Sequence, residues 1–161
     1  MAEELNWREA YKDFNKDLEA KILEANNDST LVKWSELLPE LMGSDVFMAG
    51  QFSEEMVNAN GEKMMSILML QKNGHAVVPF FTSPERMSVL IGPDNDSFDV
   101  MKVNTVRFMK SVKDKPVVLN PMSPYSRAFS PFDMKILVAE NIDKQPDIKD
   151  DATPVSAEEK Q

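Results

Sequence analysis

The chain has 161 residues, of which 27 are Asp or Glu and 18 Lys or Arg, giving a net charge of −9 with one histidine and no cysteine. That length suits one domain, and an apolar fraction of 42% is enough for a core. Zero Cys excludes disulfides, thiolate zinc sites, iron–sulfur clusters and cysteine nucleophiles; the acidic balance disfavours nucleic acid, whose phosphates call for a basic surface.

The N-terminal third reads as helix. Trp7, Tyr11, Phe14, Leu18 and Ile22 recur at helical spacing and predict one continuous apolar stripe. A second helix is predicted after Asp28-Ser29-Thr30, three residues able to cap it, carrying Leu31, Trp34, Leu38 and Leu41 up to Gly43. Pro39 predicts a kink or a fresh turn within it. Val46 to Gln51 reads as a strand, with Ser53-Glu54-Glu55 placed to cap a helical turn. Met64 to Gln71 and Ala76 to Phe81 are apolar runs joined through Asn73-Gly74, which supplies the two positive φ angles of a type I′ hairpin. Neither run alternates, so both strands are expected in central positions with covered faces.

Ser83 followed by Pro84 predicts a helix start, ended by Gly92-Pro93. Phe98 to Val103 is a predicted strand, and Asn104 a cap for a helix to about Val112. Val117 to Leu119 reads as a buried strand ending at Asn120-Pro121. A loop from Met122 to Phe129 then leads to a Ser130-Pro131 helix start and a helix to about Glu140. Core filling is expected for most of the twelve methionines. The predicted class is α+β: N-terminal helices, then a mixed or antiparallel sheet with a central Asn-Gly hairpin and short helices packed on it.

Charge divides the chain. Residues 1–42 hold ten acids and five bases, 43–142 eleven and ten, and 143–161 six and three. The expected organisation is one domain over 1–142, with a helical lead-in at 3–43 and a sheet-bearing part at 44–142. The tail at 143–161, with two prolines and no aromatic residue, is expected to be disordered. An acidic N-terminus without an apolar h-region, and apolar runs far below the roughly 18 residues of a membrane span, make the cytoplasm the expected location, with no membrane partner.

No catalytic, cofactor or metal motif is visible. His75 beside the Asn-Gly turn is expected to be a solvated histidine rather than a general base. Asp94-Asn95-Asp96 lacks the closing Glu of a calcium loop, and the five glycines form no phosphate-binding loop. Lys102, Arg107, Lys110, Lys113 and Lys115 make one basic stretch, readable as a patch for an anionic partner or as the wet face of a helix burying Val106 and Met109.

Two short motifs carry a family resemblance. Phe81-Thr82-Ser83, in the run Val77 to Glu85, and Leu119-Asn120-Pro121, leading to Phe129-Ser130-Pro131-Phe132-Asp133, resemble the N-terminal domain of the SseB family in order and intervening elements. The resemblance spans about two-thirds of the chain. It implies a bacterial cytoplasmic α+β domain, carries over no catalytic residue, and implies a second domain in longer members that this chain lacks. Around these anchors Thr82, Ser83, Arg86, Asn120, Ser126 and Arg127 stand at strand ends and helix starts. They form either a small-ligand site for an anionic group or a set of caps and turn formers satisfying their own backbone.

The leading expectation is therefore a non-catalytic module that binds another protein. An immunity-type protein neutralising a basic toxin or effector is its specific form, steered by −9. The alternative is a sensor of an anionic metabolite at the Thr82/Asn120/Arg127 loops.

Overall fold

The computed structural model describes residues 7–28, 32–57, 63–92, 98–112, 114–141 and 153–154. Within them the predicted α+β class holds: six helices and eight strands, the strands in two four-stranded sheets, with β1 (Asp45–Val57) between β2 (Lys63–Ile67) and β5 (Asp99–Asn104) in the first and β4 (His75–Phe80) between β3 (Leu70–Lys72) and β6 (Val117–Leu119) in the second.

The N-terminal stripe is not one helix. α1 (Trp7–Ala10) is followed by a turn, and α2 (Lys16–Asn26) starts only after Asn15, whose φ of 61° is left-handed. Its side-chain amide leaves the helix to donate to the carbonyls of Asp45, at 2.7 Å, and Thr82, at 3.0 Å. The break divides the stripe between two cores. Leu18 and Ile22 enter the main one, whereas Tyr11 and Phe14 pack with Phe47 in a smaller aromatic cluster.

α3 (Val32–Met42) runs through Pro39 without a fresh turn. Proline removes an N–H and leaves the carbonyl four residues earlier unmatched, but here both Pro39 and Ser35 lie on the exposed side of the helix, so that carbonyl is not buried without a partner. Trp34, Leu37, Leu41 and Met42 are buried on the opposite side.

β1 (Asp45–Val57) is longer than the sequence suggests. Ser53-Glu54-Glu55 forms no helical turn; the strand continues and pairs with β2 (Lys63–Ile67), with an irregularity between Ser53 and Val57. The run Met64 to Gln71 also divides. β2 joins the first sheet, and β3 (Leu70–Lys72) joins the second by pairing with β4 (His75–Phe80). The hairpin is as predicted, with Asn73 and Gly74 at φ 53° and 81°. Only β4 is central: Val77 to Phe80 are buried in succession, while β3 is an edge strand with Gln71 and Lys72 exposed. His75 is exposed, as its turn position predicts.

α4 (Pro84–Ile91), α5 (Thr105–Ser111) and α6 (Pro131–Asn141) match their predicted starts, because a local cap fixes each, and β6 (Val117–Leu119) matches its predicted span while β5 (Asp99–Asn104) begins one residue after Phe98. The Asn104 side chain accepts from the N–H groups of Val106 and Arg107 at 2.8 and 3.3 Å. Ser130 and Asp133 cap α6 reciprocally, each side chain accepting the other's N–H at 3.1 and 3.0 Å. The loop after β6 contains an unforeseen strand, β7 (Arg127–Phe129), antiparallel to β6. β6 runs parallel to β4, so the second sheet is mixed. The two sheets meet where Phe47 and Phe81 exchange backbone hydrogen bonds of 2.7 and 2.9 Å.

Most of the tail lies outside the described residues. Thr153–Pro154 form β8, a two-residue pairing with Met101 and Lys102 on the edge of β5. The core is filled from both layers by Trp34, Phe80, Phe108, Leu119 and Phe129 together with Met42, Met109 and Met134. Methionine thus fills core space as expected, although Met122 and Met69 are exposed. Among the described residues no helix is long and apolar enough to cross a membrane.

Candidate functional site

The polar anchors lie at one end of the second sheet. β4 and β6, parallel neighbours, release Thr82-Ser83 and Asn120 at adjacent C-terminal ends, and Asn120 N–H continues the ladder to the Phe80 carbonyl at 2.8 Å. Asn120 takes a left-handed φ of 46° that asparagine tolerates better than most residues. Its buried carboxamide accepts from Thr82 N–H at 3.0 Å. The same group donates to Thr82 Oγ1 at 3.1 Å and to the Tyr125 carbonyl at 3.3 Å.

Glu19 on α2 completes the cluster, and sequence reasoning missed it. Thr82 Oγ1 and Ser83 Oγ both donate to Glu19 Oε2, the latter at 2.6 Å, and Arg86 Nε stands 3.9 Å from Oε1. Ser83 Oγ also accepts the Arg86 N–H at 3.4 Å, as an N-cap of α4. A carboxylate belonging to the chain therefore occupies the position an anionic ligand would take at this helix start. Thr82 and Ser83 are almost completely buried, and Glu19 is only 14% exposed.

The remaining anchors are spread along the loop after Asn120. The Arg86 guanidinium lies 4.4 Å from the Tyr125 ring centroid, and that of Arg127 4.5 Å from the Trp34 ring. Both contacts have cation–π geometry. The buried Nε atoms of the two arginines make no hydrogen bond among the described residues. Ser126 contributes its carbonyl, which with that of Pro124 accepts from the Asn26 side-chain amide at 3.0 and 2.9 Å. Asn26 in turn accepts from Trp34 Nε1 at 2.9 Å. Thr82, Ser83, Arg86 and Asn120 thus form one cluster, whereas Ser126 and Arg127 sit on an adjoining staple between the loop and the helical layer. Asn15, Glu19 and Asn26 carried no visible signal, because each acts on residues far away in sequence.

The basic stretch is divided between β5, α5 and the turn that follows. Lys102 sits on β5, its Nζ 3.7 Å from Asp45 and near the Tyr11 and Phe14 rings. Arg107 is half-buried, Lys110 and Lys115 are exposed, and Lys113 lies outside the described residues. Val106 and Met109 are fully buried beneath α5, as the wet-face reading predicts.

The acidic helices are partly matched from within. Lys21–Glu40 and Lys33–Glu24 pair at 2.6 Å across α2 and α3. Hydrogen bonding to these carboxylates raises both lysine pKa values. The small stabilisation is complete below the unfolded lysine pKa and lost as pH rises through the folded value; at such exposed pairs salt screens it further.

A mixed two-sheet α+β domain whose buried strand-end polar residues hold an internal carboxylate is the class these observations define. Residues 18–134 match the family model for the SseB protein N-terminal domain, and the chain belongs to that family. The match contains the whole Glu19–Thr82–Ser83–Asn120 cluster and ends at Met134, inside α6. No curated protein and no solved structure matches the chain.

Proposed function

We propose that this SseB-family chain is a non-catalytic protein-interaction module whose working surface is the outer face of α5 and α6. The observation that carries this reading is α6 itself. It buries Met134 and Leu137 inward, yet also turns Phe132, 70% exposed, and Ile136, 41% exposed, to solvent. A helix apolar on both sides is normally covered on both. Between α5 and α6 lies a cavity of about 600 Å³ with Met109 and Met134 among its lining residues and Lys110 and Lys135 beside them. The anchor cluster, by contrast, has directed its hydroxyl donors to Glu19.

Affinity capture from the native host, with wild type and Phe132→Glu compared, tests the reading. A stoichiometric protein held by wild type and lost by the variant is the expected result. Equal recovery by both, or none by either, contradicts it. Neutralisation of a basic toxin or effector remains the specific form suggested by −9, although Glu24 and Glu40 already face lysines of the chain.

One observation favours the second reading, an anionic metabolite at the Thr82/Asn120/Arg127 loops: the Nε atoms of Arg86 and Arg127 lack hydrogen-bond acceptors among the described residues. A ligand there raises the melting temperature by mass action. Shifts with inorganic phosphate or nucleotides that persist unchanged in Arg127→Ala would remove that site.

A further inference from the structure

We infer that the α5–α6 face is a two-fold interface with a second copy of this chain, an assignment that rests on the reading of that face as the working surface. Phe132 and Ile136 are one helical turn apart and, with Glu140, form a single outward strip along α6. Phe132 also lines the cavity floored by Met109 and Met134. A projecting ring and the apolar hollow next to it therefore lie on the same helix. Such a surface can be complementary to itself: a two-fold rotation brings each copy's Phe132 against the other's hollow, and the strip and the hollow are covered together.

Charge points to the same occupant. Lys110 and Lys135 border the hollow with Asp114, while Asp133 and Glu140 flank the apolar strip on α6. Two bases against three acids make this face nearly neutral on a chain of net −9. Copies that repel one another elsewhere can meet here without bringing like charge together. An antiparallel pairing of the two α6 helices carries the Glu140 end of each toward the end where Lys135 stands beside Asp133, so no single sign of charge accumulates across the contact.

Sedimentation equilibrium of the full chain from micromolar to millimolar concentration tests the inference. The expected result is a reversible species of twice the 18.2 kDa chain mass, with dimer affinity weakened about thirtyfold or more in Phe132→Glu, the scale of losing a central apolar anchor. Circular dichroism verifies that the variant is folded; if it is not, Ile136→Glu takes its place with the same expectation. A wild type that stays monomeric throughout overturns the inference, as does a dimer unaffected by the folded variants. A monomer that still captures an α6-dependent host protein removes the second copy but leaves the interaction module standing. A dimer that captures nothing does the reverse.

Discussion

Asn120→Ala is expected to lower the unfolding free energy by about 3 kcal/mol, read as a reduced denaturant midpoint with an unchanged slope. The side chain is fully buried and makes three hydrogen bonds, at 3.0, 3.1 and 3.3 Å, to Thr82 N, Thr82 Oγ1 and the Tyr125 carbonyl. Removing it leaves buried partners unmatched, which costs more than the net worth of the bonds themselves. Alanine at a φ of 46° adds backbone strain that asparagine largely escapes. Asn120→Asp keeps the shape but turns a buried carboxylate oxygen toward the Tyr125 carbonyl and the Thr82 hydroxyl already given to Glu19, and should cost at least as much. A loss of under 1 kcal/mol in the alanine variant would show that the cluster contributes little to the fold.

Phe80→Ala is expected to cost about 4 kcal/mol and to lower the melting temperature by about 10 °C. Phe80 is fully buried on the central strand β4, with the Phe108 ring centroid 4.7 Å away and that of Phe129 at 6.3 Å. Its ring therefore joins α5, β7 and the second sheet. Deletion removes the transfer free energy and leaves a cavity whose walls belong to three different elements, so collapse is restricted. Calorimetry measures the effect directly. A shift of only one or two degrees would mean that the packing around β4 relaxes freely, against the close fit described here.

The features legible from sequence are those decided within a few residues. Asn73-Gly74 sets its hairpin because both φ angles are local requirements, and Ser83, Asn104 and Ser130 mark helix starts because each caps an N–H two or three residues ahead. Phe81-Thr82-Ser83 and Leu119-Asn120-Pro121 revealed the family for the same reason: each is a contiguous strand end.

What the sequence concealed is non-local. The Asn15 break looks like an ordinary position in a helical stripe until its amide meets carbonyls 30 and 67 residues away. Glu19 looks like one more solvated acid; its partners Thr82 and Ser83 are 63 and 64 residues distant. Between Met64 and Gln71 only Ser66 and Gln71 are polar, so periodicity cannot show that Ile67 ends a strand of one sheet and Leu70 begins a strand of the other. β7 is three residues long and exists only by pairing with β6.

For the candidate site, residue types were legible but roles were not. Thr82, Ser83, Arg86 and Asn120 do converge, yet the anion they surround is the chain's own. Lys102 lies on β5 against Asp45 and the Tyr11 and Phe14 rings, on a different element from Arg107 and Lys110. The exposed apolar strip on α6 escaped notice because Phe132 and Ile136 are interleaved with buried Met134 and Leu137, and a helix rich in apolar residues all round reads simply as core.

The central claim is that the anchors carrying the family resemblance build the fold, with Glu19 as their internal counter-charge. The thermal unfolding midpoint of Glu19→Gln, against wild type in the same buffer, tests it most directly. A structural carboxylate accepting two hydroxyl donors predicts a loss of about 2 kcal/mol, a fall of several degrees. An unchanged or raised midpoint would contradict that role, because a Glu19 that merely stood in an anion-binding site could be neutralised at no cost to the fold.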